Sequence, residues 1–152
     1  MPDQQDRPSA ETRLFRHVLV GWDGSPDSVA AFRAAVRLVA GGSVTALAVL
    51  PHNHQPEAYL DHPVREEDHL REAFESARAA TAGSASASVS FRTAISAHVA
   101  EAICEYARDH ACDLLVIGRH GQGSVLHGKL GHVPGSAAKI SKLPVLLISA
   151  AA

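Results

Sequence analysis

The chain has 152 residues, 46% hydrophobic and 20% charged, which suits one domain with one sizeable core. Its 14 basic against 16 acidic side chains leave a formal net charge of −2 and no electrostatic case for binding nucleic acid or an anionic membrane. Two cysteines make no disulfide framework, no apolar run approaches a membrane span, and residues 1–13 lack a signal-peptide core, so the cytoplasm is the expected compartment.

Residues 1–13 are polar and without periodicity, and read as a disordered tail ahead of a single domain, 14–150. Phe15 to Val20 is the first strand. It runs into Gly21-Trp22-Asp23-Gly24-Ser25-Pro26, a turn in which Ser25 caps a helix and Pro26 takes its first position. Val29, Phe32, Val36 and Val39 recur at three and four, so 26–40 is an amphipathic helix ending before Gly41-Gly42. Val44 to Leu50 is the second strand, stopped by Pro51, and 52–63 is a polar loop. A helix from about Val64 to Ala82 turns Leu70, Phe74 and Ala77 inward. Ser88 to Thr93 alternates weakly, as an edge strand does. Val99 to His110 is the third helix, with Ala102, Ile103, Tyr106 and Ala107 as its inward stripe.

Leu114 to Ile117 is a short apolar run and reads as a strand buried on both faces. Gly118, Gly121, Gly123, Gly128 and Gly131 then punctuate a loop that carries Arg119, His120, His127, Lys129 and His132. A short helix and a last strand, Val145 to Ile148, close the chain. Strand, glycine-rich basic loop and helix form an arrangement suited to a polyphosphate. Glycines admit oxygens to backbone N–H groups, and a helix N-terminus adds partial positive charge. Five strands alternating with four helices imply an α/β fold, a parallel sheet with helices on both faces.

Gly118-x-x-Gly121, nine residues, then Gly131 resembles the nucleotide signature of the universal stress protein family. Val18-Leu-Val-Gly-Trp22-Asp23-Gly-Ser25 is similar to that family's opening strand and the Asp behind it, and Pro144 to Ile148 to its closing strand. The likeness covers roughly Arg16 to Ser149. It implies a Rossmann-like sheet of the adenine nucleotide alpha hydrolase type, strand order 3-2-1-4-5, with a ligand crevice between the first and fourth strands. It also implies bound ATP with Mg2+ accompanying the phosphates, and a homodimer through the Val145–Ile148 edge. On this likeness the nucleotide site comprises Trp22, Asp23, Val49, Gly118, Arg119, Gly121, Lys129, Gly131, His132 and Val133, with Arg119 and Lys129 also readable as solvated surface charges. Asp23 would contact the nucleoside end, although Asp-Gly is also an ordinary turn pair. The end of the second strand, around Ala48 and Val49, would hold the adenine.

Two departures stand out. His132 occupies the place of a Ser or Thr hydroxyl. Pro134 has no N–H and disfavours helical geometry at Val133, so we expect the last helix to begin about a turn late, at Pro134 or behind a Ser136 cap. We therefore expect a looser grip on the terminal phosphates than the family pattern gives. Ten histidines invite a metal site, but no ligand spacing supports one. No Walker-type Gly-Lys-Ser/Thr and no nucleophile–base pair is legible. The resulting expectation is an ATP-binding, non-enzymatic regulatory module of the stress response. The alternative is a family member that has lost nucleotide and acts as a dimeric interaction protein, and a weak ATPase ranks third.

Overall fold

The computed structural model describes residues 15–39, 41–51, 63–83, 87–121 and 130–150. They form β1 (His17–Gly21), α1 (Pro26–Leu38), β2 (Ser43–Leu50), α2 (Pro63–Thr81), β3 (Ser88–Ile95), α3 (Val99–Asp109), β4 (Leu114–Gly118), α4 (His132–Ile140) and β5 (Val145–Ile148). The sheet order is β3-β2-β1-β4-β5, and every neighbouring pair is parallel. The tail over 1–13 and Lys129 lie outside the described residues.

Each strand faces two layers. Val18, Val20, Val44 and Ala46 point to α1 and α2 and pack with Phe32 and Phe74. Leu19, Leu47, Leu115 and Ile117 point the other way, to α3 and α4, and pack with Ile103, Ala107 and Ala137. Covering both faces explains why β4 reads as an unbroken apolar run: all five of its residues are buried.

The helix ends follow from local chemistry. Ser25 Oγ accepts from Ser28 N at 3.2 Å, and Pro26 begins α1 where its missing N–H costs nothing. In α3 the buried stripe is Ala100, Ile103 and Ala107; Tyr106 and Ala102 are only half-buried, so the expected stripe is rotated toward Ala100.

The late start expected for α4 is corrected. The helix begins at His132, with Gly131 as N-cap, and its first turn closes through Gly135 N to Gly131 O at 3.1 Å. Pro134 is the third helical residue. The N–H groups of the first turn have no acceptor within a helix, so a proline there breaks no bond. Burial of its ring and packing of Val133 against the α3–α4 core offset the bias against helical geometry before proline.

Candidate functional site

Where the strand order reverses, between β1 and β4, the carboxyl ends of the strands open into a cleft of ≈ 370 Å³ bounded by described residues. Two walls of different chemistry meet in it. One is aliphatic: Leu47 and Val49 from β2, Val99 and Ile103 from α3, and Ile117 from β4. The other is polar and backbone-rich: Asp23, Ser25, His120 and Gly121, with Gly131, His132 and Val133 at the start of α4. Trp22 and Gly118 complete the floor.

Of the residues expected from the sequence, Trp22, Asp23, Val49, Gly118, Gly121, Gly131, His132 and Val133 all line this cleft. Arg119 does not: its side chain is exposed, while its backbone ties two segments together. Its N–H donates to Ile148 O, and its carbonyl accepts from Gly131 N, each at 2.9 Å. The Gly131 N–H is thereby engaged within the protein. Helix geometry leaves the His132 and Val133 N–H groups without intrahelical acceptors at the mouth of α4, and Pro134 contributes none. Ala48 faces the α1–α2 core, so Val49 and Leu47 are the β2 residues at the cleft. The period of two along a strand carries that signal, because 47 and 49 share a face.

Asp23 also serves the turn. Its Oδ1 accepts from Ser25 N at 2.9 Å, an Asx turn that sets the helix cap. Its Oδ2 lies against Gly121, where an added Cβ would come within 2.8 Å. Trp22 is buried, donates Nε1–H to Leu70 O at 2.9 Å, and meets Phe32 and Phe74 edge-on.

Sequence reasoning missed a clasp at the cleft's rim. Asp27, in the first turn of α1, accepts from His120 N at 3.0 Å and pairs with His120 Nδ1 at 3.1 Å through Oδ2. Its Oδ1 accepts from Ala150 N at 2.7 Å. One carboxylate thus joins α1, the segment after β4 and the segment after β5. Gly118 is part of the same fit, since a Cβ there would stand 2.7 Å from Asp27 Cβ and 2.9 Å from its carbonyl carbon. Glycine is required at 118 to let α1 approach the strand, as well as to floor the cleft.

Burial raises the Asp27 pKa, but the hydrogen bonds from Ala150 N–H and from the side chain and N–H of His120 outweigh it and hold the group below 3.8. A depressed native pKa contributes stability that is present above the unfolded value and is lost as pH falls through the native one. Unfolding free energy should therefore drop on acidification below about pH 4. Asp27→Asn should flatten that acid limb, as measured by urea denaturation across pH. An unchanged limb would remove Asp27 from the account. Burial likewise pushes the Cys104 and Cys112 thiols up, helped by Glu101 and Asp113 respectively, and the two are unbridged. Among the described residues no group of His, Cys, Asp and Glu is arranged to hold a metal, and no helix is long and apolar enough to cross a membrane.

The fold and cleft define a doubly wound parallel α/β protein with its crevice at the topological switch point. The chain belongs to the universal stress protein family, whose model matches residues 14–149. Among solved structures it is similar to a universal stress protein in complex with cAMP, with 27% identity and TM-score 0.65, covering 91% of this chain and 99% of that one. It is also similar to universal stress protein UspA from Lactobacillus plantarum, with 24% identity and TM-score 0.70 over 88% and 97% of the two chains. A universal stress protein family protein from Arabidopsis thaliana with AMP bound shares the fold at 19% identity and TM-score 0.60, over 90% and 93%. None of the curated proteins compared with it matches.

Proposed function

We propose that this chain is an adenine-nucleotide-binding, non-enzymatic regulatory module of the stress response. The observation that carries this reading is the meeting, in one cleft, of an aliphatic shelf with the open N-terminus of α4. The shelf of Leu47, Val49, Ile103 and Ile117 suits the faces of a purine, and the helix start suits an anion. The complex of the 27%-identical family member with cAMP supports an adenine nucleotide as the ligand class. With ATP, Mg2+ would be held chiefly by phosphates and water.

Among the described residues, the phosphate end is the weak side of the site. The Gly131 N–H is spent on Arg119 O, Pro134 has no N–H, and an imidazole replaces a hydroxyl at His132. ATP is therefore expected to bind no more than about tenfold tighter than AMP in calorimetric titrations. Pro134→Ala, which restores a donor, should raise the preference for ATP by about fivefold, the worth of one hydrogen bond. A strong ATP preference in the unmodified protein would contradict the weak phosphate grip. The same missing donors favour one second reading, a dimeric interaction protein without nucleotide, for which no adenine nucleotide would bind at all.

Both readings include a homodimer through β5. Among the described residues that strand pairs only with β4, and its four residues Val145–Ile148 are all half-buried, an apolar edge that pairing across a two-fold axis would cover. Sedimentation equilibrium should give twice the chain mass, and a monomer mass would refute the pairing.

A further inference from the structure

We propose that the chain carries a second binding site, for a small oxyanion of the phosphate or sulfate class, at the amino ends of β1, β2 and β3. Strands of a parallel sheet are covered on both faces and are usually apolar on both. On the α3 side these three strands break that rule at one end only. Leu19, Leu47 and Val49, toward the carboxyl ends, pack with the α3–α4 core. Toward the amino ends the same face carries His17 on β1, Ser43 and Thr45 on β2, and Ser90 on β3, with Arg92 following at the middle of β3.

The register makes this a contiguous patch. His17 stands beside Ser43, Thr45 beside Ser90, and Leu47 beside Arg92. His17 Nδ1 is 2.6 Å from Ser43 Oγ, and the Thr45 and Ser90 hydroxyls are 3.3 Å apart. The end of α3 supplies the far wall, where the Tyr106 and His110 rings stack with centroids 3.7 Å apart. Together they bound a cavity of ≈ 380 Å³.

The lining is rich in donors and holds no carboxylate. Among the described residues, ion pairs engage Arg71, Arg78, His98, Arg108 and His120, but not Arg92, His17 or His110. One guanidinium nitrogen of Arg92 donates to the Phe91 carbonyl at 3.2 Å, which anchors the group, and a guanidinium has further N–H donors to offer. The carboxylate of Asp113, nearby at the start of β4, accepts from the backbone N–H groups of Arg16 and His17. A guanidinium that lines one cavity with three hydroxyls, in a protein whose net charge is −2, suits recognition of an oxyanion by local donors and not by bulk field. His110 Nδ1 faces the Tyr106 carbonyl at 2.9 Å and so must donate there; its other nitrogen becomes a donor only when the ring is charged.

The test is a titration of the 15N-labelled full chain with inorganic phosphate, then with sulfate, at one fixed pH. Chloride at matched ionic strength is the control. Saturable amide shifts are expected at His17, Ser43, Thr45 and Ser90. Arg92→Gln should weaken them about tenfold, the loss of one charge-assisted contact, and Thr45→Val should weaken them less. Arg92 and His17 are exposed, so Arg92→Gln leaves the core intact. The proposal is overturned by shifts that do not saturate, that chloride reproduces, that survive Arg92→Gln, or that appear only at Gly118 and His132 in the cleft. The last result would leave the nucleotide reading standing while removing this one.

Discussion

Replacing Phe74 with alanine is expected to lower unfolding free energy by about 3–5 kcal/mol, against a total on the order of 5–15 kcal/mol for a domain. The ring is 1% exposed and sits at the centre of an aromatic group. Its centroid lies 5.8 Å from Trp22, 5.4 Å from Phe32 and 5.3 Å from Phe91, two of these contacts being edge-to-face. Truncation removes the transfer energy of the ring and leaves a cavity that the sheet, fixed by ladder bonds on both sides, cannot collapse to fill. Trp22 loses its flank on the same side from which Leu70 holds its indole N–H. Because Trp22 is the chain's single tryptophan, its fluorescence reports both the loss and its location. A lower urea midpoint should accompany red-shifted emission in the folded state. A loss under about 1 kcal/mol would mean that the group packs far more loosely than described.

Gly118→Val is the second. The added Cβ alone would press to 2.7 Å from Asp27 Cβ and 2.9 Å from the Asp27 carbonyl carbon, and neither atom is the end of a flexible side chain. The first turn of α1 must therefore retreat from β4. Overpacking of this kind costs about 1–3 kcal/mol. The retreat also stretches the Asp27 bonds to His120 and Ala150, which orient the segment leaving β4. Thermal denaturation should show the stability loss, and the acid sensitivity attributed to Asp27 should shrink with it. If Gly118→Val kept wild-type stability, the close approach of α1 would not be the reason for glycine there.

Much of this architecture was legible because it is local. Val29, Phe32, Val36 and Val39 announce α1, the apolar run Leu114 to Ile117 announces a strand covered twice, and the alternation of strand and helix dictates a parallel sheet. The order β3-β2-β1-β4-β5 came from family likeness, and the structure has it. The late start that Pro134 suggests for α4 fails for a physical reason: a proline in the first turn forfeits no helical hydrogen bond, and the helix begins at His132. At the end of β2 the pleat turns the Leu47 and Val49 side chains to the cleft and that of Ala48 to the α1–α2 core. The Asp27 clasp was out of reach for another reason: its partners lie 93 and 123 residues away. In the sequence Asp27 is only an acid in a helix's first turn and His120 only a loop histidine. Nothing local pairs them until the sheet brings the ends of β1, β4 and β5 side by side.

The same logic explains why a glycine-rich loop alone says little about what it holds. Gly118 serves helix packing, Gly121 makes room for the Asp23 carboxylate, and the Gly131 N–H closes onto Arg119 O. All three of these needs are met inside the protein before any ligand arrives. Among the described residues, the proposed reading leaves the mouth of α4 at His132 and Val133 for an anion and the aliphatic shelf opposite for a base.

The most direct check is to titrate the purified chain with AMP while following Trp22 fluorescence, beside a Gly121→Val variant whose new side chain would press on Asp23. Saturable quenching or enhancement with one AMP per chain, weakened about tenfold or more in the variant, is the predicted result. No saturable change in the unmodified protein, with no heat in a parallel calorimetric titration, would contradict the nucleotide-binding cleft.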